Sequence, residues 1–67
     1  MDRDERKAFA RWLTTASMSE LETARVRLQA LEPQLSEEDA INDMKYLKRK
    51  TILEIEARHQ VAEATQQ

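Results

Sequence analysis

The stretch Ser19–Ala40, SELETARVRLQALEPQLSEEDA, decides the fold, because it holds one helical stripe, one proline and one helix start within a single span. Leu21, Ala24, Leu28, Leu31 and Leu35 recur at alternating spacings of three and four, a narrow apolar stripe of coiled-coil type. Pro33 has no amide proton and disfavours helical backbone at Glu32, so the chain is expected to turn between Glu32 and Ser36. Ser36 reads as an N-cap, with Glu37, Glu38 and Asp39 at the positive end of a helix dipole. A connection this short suits an antiparallel pair of helices.

Downstream, neither glycine nor proline interrupts the pattern until about Ala64, which predicts a helix about 40 Å long at 1.5 Å per residue. The closing ATQQ has nothing to bury and is expected to fray. Upstream, Phe9, Trp12, Leu13 and Ala16 form another stripe, preceded by the acidic Asp2, Asp4 and Glu5. Thr14 and Thr15 are poor helix formers, and either Ser17 with Glu20 or Ser19 with Glu22 makes a capping box, so a break is expected near Ala16–Ser19. The expected fold class is therefore all-α. It is a single domain over residues 1–67 with helices at about 2–15, 18–32 and 37–64, an antiparallel helical hairpin with a short N-terminal helix, dimerising into a helical bundle.

Composition sets the outer bounds. A chain of 67 residues builds only a marginal core unless something reinforces it. Cysteine is absent and histidine occurs once, which removes disulfides and Cys/His zinc sites and leaves association between chains as the available reinforcement. Apolar residues make up 40% and charged residues 36%, too apolar a balance for a disordered chain. No apolar run approaches the roughly 18 residues of a membrane span and the N-terminus lacks a secretory pattern, so a soluble, cytoplasmic protein is expected. The formal charge of −2 gives no overall field that favours nucleic acid.

On the long third segment, advancing about 100° per residue, Ala40, Ile41, Met44, Leu47, Thr51, Ile52, Ile55 and Ala62 share one face. That face is expected to pack on Leu21, Leu28, Leu31 and Leu35. Tyr46, Leu53 and Ala57 fall almost opposite and cannot reach the same partner. Three readings stand: isolated surface residues, cover by Phe9, Trp12 and Leu13 of the first segment, or cover by a second protomer. Aromatic enrichment at interface centres favours intermolecular contact.

Around Tyr46, the run KYLKRK gathers Lys45, Lys48, Arg49 and Lys50, which read as a solvated band, as a phosphate grip with a stacking ring, or as a contact for an acidic protein partner. His59, Glu54, Glu56 and Glu63 read as helix-surface residues, with no nucleophile or orienting group to make a base of the histidine. No phosphate-binding glycine loop, EF-hand spacing or HExxH is present, so no catalytic residue, metal ligand or cofactor is expected. Phe9, Trp12, Tyr46 and Leu53 are the expected apolar contacts with a partner, and Lys45 and Arg49 the polar ones.

The run RWL…SELETARVRL…DMKYLKRKTILEIEAR resembles the small helical accessory proteins of temperate phages and mobile elements. The resemblance implies a non-enzymatic regulator or inhibitor that binds and blocks a host or defence protein, in the host cytoplasm if phage-encoded. The alternative is a nucleic-acid-binding transcriptional regulator, in which the basic band of a dimer meets phosphate. Against it, a helix-turn-helix calls for a shorter second helix than SELETARVRLQALE.

Overall fold

A computed structural model describes the backbone of residues 1–66 and the side chains of residues 1–63. Within these residues the protein is all-helical: α1 (Arg3–Thr15), α2 (Met18–Leu31), a 3₁₀ turn (Glu32–Gln34) and α3 (Glu38–Gln66). None of these helices is long and apolar enough to cross a membrane.

Asp2 caps α1, its carboxylate accepting from the Glu5 amide at 2.8 Å. At the other end Thr14 and Thr15 donate their hydroxyls back to the Arg11 carbonyl, at 2.7 and 3.2 Å. Such back-bonding gives the backbone an alternative to helix and weakens its continuation. Ala16 and Ser17 are both extended, and this pair of residues makes the corner into α2. Of the two capping boxes open in the sequence, the chain uses Ser17 with Glu20. The Ser17 hydroxyl accepts from the Glu20 amide at 3.1 Å and the Glu20 carboxylate accepts from the Ser17 amide at 3.2 Å.

Pro33 ends α2 by way of the 3₁₀ turn, closed by the Leu35 amide donating to the Glu32 carbonyl at 3.2 Å. The start of α3 differs from expectation. The Glu37 carbonyl accepts the first helical bond, from the Ile41 amide at 2.9 Å, so the cap position falls on Glu37 and not on Ser36. The 3₁₀ turn and the extended Leu35 delay the helix start, while Glu38 and Asp39 still occupy the first turn. Helix α3 runs to Gln66, past the expected end at Ala64. Of the ATQQ segment expected to fray, Gln67 and the side chains of residues 64–66 lie outside the described residues.

The core gathers at the α1–α2 corner. Leu13, Ala16 and Leu21 are buried there with Ile55 of α3, and Phe9, Trp12 and Met18 pack around them. Thr51 is also fully buried, its hydroxyl satisfied by the Leu47 carbonyl at 2.8 Å. This matches the expected α3 face as far as Ile55, with Met44, Leu47 and Ile52 half-buried, whereas Ala62, expected on the same face, lies past the end of the core and is exposed. Leu31 departs from the expected stripe and is 46% exposed. It lies about 80° around α2 from the fully buried Leu21, so a helix that seats Leu21 against α3 turns Leu31 toward the α1 side. Cross-helix pairs give the relative directions. Met1, Arg6 and Leu13 meet Asp43, Tyr46 and Arg58 in ascending order, whereas Glu32 meets Lys48 and Ala16 meets Arg58 in descending order.

Candidate functional site

The residues expected to contact a partner divide between two surfaces. Tyr46 is half-buried, with the Arg6 guanidinium 4.9 Å and the Lys50 ammonium 5.7 Å from its ring centroid. Its cover therefore includes the polar side of α1. Phe9, Trp12 and Leu13, the residues proposed for that role, lie elsewhere: Leu13 is in the core, and Phe9 and Trp12 face α2. Leu53 remains 46% exposed, and Lys45 and Arg49 are exposed beside it on the outer side of α3. The basic band separates in the same way. Lys48 pairs with Glu32 and Lys50 sits over Tyr46, which leaves Lys45 and Arg49 pointing outward.

Phe9 and Trp12, one helical turn apart, stack with centroids 5.8 Å apart and ring planes at 26°. They form one wall of an open groove of about 440 Å³ whose remaining lining is Glu20, Ala24, Arg27 and Leu28. Its existence follows from local sequence. The extended Ala16–Ser17 corner sets α2 apart from α1 while both lie against α3, so Ala24 faces the aromatic pair across an open space. Four of the six lining residues are apolar, and the two charges stand two helical turns apart, about 10 Å along α2. Ala24 and Leu28 were legible as apolar stripe positions but not as groove residues. The available signal was the single alanine in a stripe of leucines.

The corner itself is held by Arg58, which sequence reasoning did not single out. Its Nη1 donates to the Ala16 carbonyl at 2.6 Å and its Nη2 to the Leu13 carbonyl at 2.7 Å, while Nε is held by Glu54 at 3.0 Å. A cation at a helix C-terminus also meets the negative end of the dipole. At the far end of α1, the Met1 α-amino group pairs with Asp43 at 2.9 Å. The hydrogen bond the amine donates to the Asp43 carboxylate, followed by that group's charge, holds it above its ordinary pKa of 8.0.

The groove is lined by apolar side chains and two charged ones, Glu20 and Arg27. Its walls are hydrocarbon and indole, and the one carboxylate, Glu20, is hydrogen-bonded to the Ser17 amide. His59 is exposed on α3, and among the described residues no group of three or more acidic or histidine side chains is placed to hold a metal ion. Comparison with protein-family models, curated proteins and solved structures finds no match for this chain.

Proposed function

We propose that this chain is a small non-enzymatic protein-interaction module, an antiparallel α2–α3 hairpin with α1 laid alongside, whose docking surface is the groove between α1 and α2. One observation carries this reading: a stacked Phe9–Trp12 pair walls an open apolar groove that the chain leaves unfilled. Tryptophan in a concave apolar surface with charged residues at its rim is the usual composition of an interface centre. The resemblance to phage and mobile-element accessory proteins adds a mode of action, binding and blocking a host or defence protein. The nucleic-acid alternative loses its stacking ring, because Tyr46 is already engaged by Arg6 and Lys50.

Photo-cross-linking tests the reading. A benzophenone side chain is introduced in place of Leu28 in one variant and of Leu53 in another, and the protein is irradiated in the cells it comes from. Protein adducts from position 28, suppressed by Arg27→Glu, are expected. Adducts from position 53 alone would move the interface to the outer side of α3, and none from either position would end the interaction reading.

A further inference from the structure

We infer that the occupant of the groove is a second copy of this chain, seated so that the two α2 helices lie antiparallel about a two-fold axis beside Ala24. This rests on the reading of the groove as a docking surface and names its partner. Glu20 and Arg27 stand at the two ends of the groove, and neither has an ion-pair partner among the described residues. A two-fold axis midway between them, between Thr23 and Ala24, brings Glu20 opposite the partner subunit's Arg27 and Arg27 opposite the partner subunit's Glu20. Both charges are then matched by a single geometry. An unrelated helix carrying one sign of charge would meet repulsion at one end.

The side chains near the axis fit close approach. Ala24 is the small residue at the centre, where two helices can come within about 8 Å. Glu20, Ala24, Arg27 and Leu31 recur at spacings of four, three and four, which keeps them within about 60° on α2. The exposed Leu31 thus continues the groove, and the antiparallel pairing directs it toward the partner's α1–α2 corner. The contact is isologous, so it closes at two copies and leaves no free end from which a filament could grow.

The size of the chain argues the same way. Among the described residues only Leu13, Ala16, Leu21 and Ile55 are buried apolar side chains, a small core for 67 residues. A stable interface takes about 800 Å² from each partner, about 15% of the 5225 Å² the chain exposes. The outer side of α3 is a poorer choice, since its exposed Leu53 and Ala57 lie on a convex helix face beside Lys45 and Arg49 and line no part of the groove. In the dimer, that row of Lys45, Arg49 and Leu53 is displayed twice.

Sedimentation velocity over a concentration series to tens of micromolar reads the assembly, with far-UV circular dichroism confirming helicity. The wild type is expected to dimerise, and Arg27→Glu and Glu20→Lys are each expected to weaken association roughly tenfold or more, through two like-charge contacts per dimer. An equimolar mixture of the two variants is expected to recover the dimer, because the hybrid restores both opposite-charge pairs. A wild type that stays monomeric overturns the inference, as does a dimer indifferent to both single variants or a mixture that fails to recover.

Glu20→Lys also removes half of the capping box, so a second measurement avoids that position. The chain has no cysteine, and Ala24→Cys treated with a short bis-maleimide is expected to give a covalent dimer, whereas Val26→Cys, on the opposite side of α2, is not. Cross-linking only through position 26 overturns the geometry. If the groove probe at position 28 instead yields an adduct of a different protein, the second copy is excluded while the interaction reading stands.

Discussion

Arg58 donates to the carbonyls of Leu13 and Ala16, groups that the end of α1 leaves without helical donors, and Glu54 fixes the guanidinium from behind. Hydrogen bonds from a charged donor to carbonyls are stronger than neutral ones, so Arg58→Met is expected to lower stability by about 2 kcal/mol, read as a shift of the urea midpoint. Arg58→Lys keeps the charge but not the two-pronged geometry and should fall between. The Met1–Asp43 pair makes a prediction about pH. The amine is raised above 8.0 in the folded chain, so its contribution is complete below that value and disappears as pH rises through the folded-state pKa. The difference in urea midpoint between wild type and Asp43→Asn should therefore be largest in neutral solution and shrink above pH 8.0. A difference that stays constant into strongly alkaline solution would contradict the pairing.

Among the helices, the boundaries of α1 and α2 trace to one or two side chains each. The α1–α2 corner depends on the Ser17–Glu20 capping box, whose hydroxyl satisfies an amide at the start of α2. Ser17→Ala is expected to cost about 1 kcal/mol in thermal unfolding. Ser19→Ala should change little, since in the observed fold Ser19 is already inside α2. The sequence made both boxes visible but could not choose between them, because the choice depends on where Thr14 and Thr15 release α1. Helix existence, the Pro33 turn and the α3 core face were legible because they follow from periodicity and backbone chemistry within one segment. The Arg58 clamp, the Arg6–Tyr46 contact and the exposure of Leu31 were not. They depend on the rotation of one helix about its axis relative to another, which spacing within a single helix does not encode. The groove fell in the same gap: Phe9 and Trp12 were legible as contacts, while Ala24 and Arg27 became part of that surface only once α2 was placed beside α1.

Taken as one molecule, the chain combines joins of very different reach. Helices α2 and α3 meet across one short turn, and Glu32 reaches Lys48 over 16 positions. The ties from α1 and its flanking residues to α3 span far more of the chain: besides the Arg6–Tyr46 contact, Met1 reaches Asp43 over 42 positions, Ala16 reaches Arg58 over 42 and Leu13 reaches Arg58 over 45. Short-range contacts form early and long-range ones late, since closing a long loop carries a larger entropic cost. The α2–α3 pair should form the folding nucleus and α1 should dock after the rate-limiting step. In stopped-flow refolding, Arg58→Met is then expected to accelerate unfolding and leave the folding limb almost unchanged. A slowed folding limb would place the clamp in the nucleus. The same order has a consequence during synthesis. Helix α1 is synthesised before α2 and α3, yet the guanidinium that holds its end in place is made more than forty residues after that end, so α1 stays unclamped on the ribosome until Arg58 has emerged.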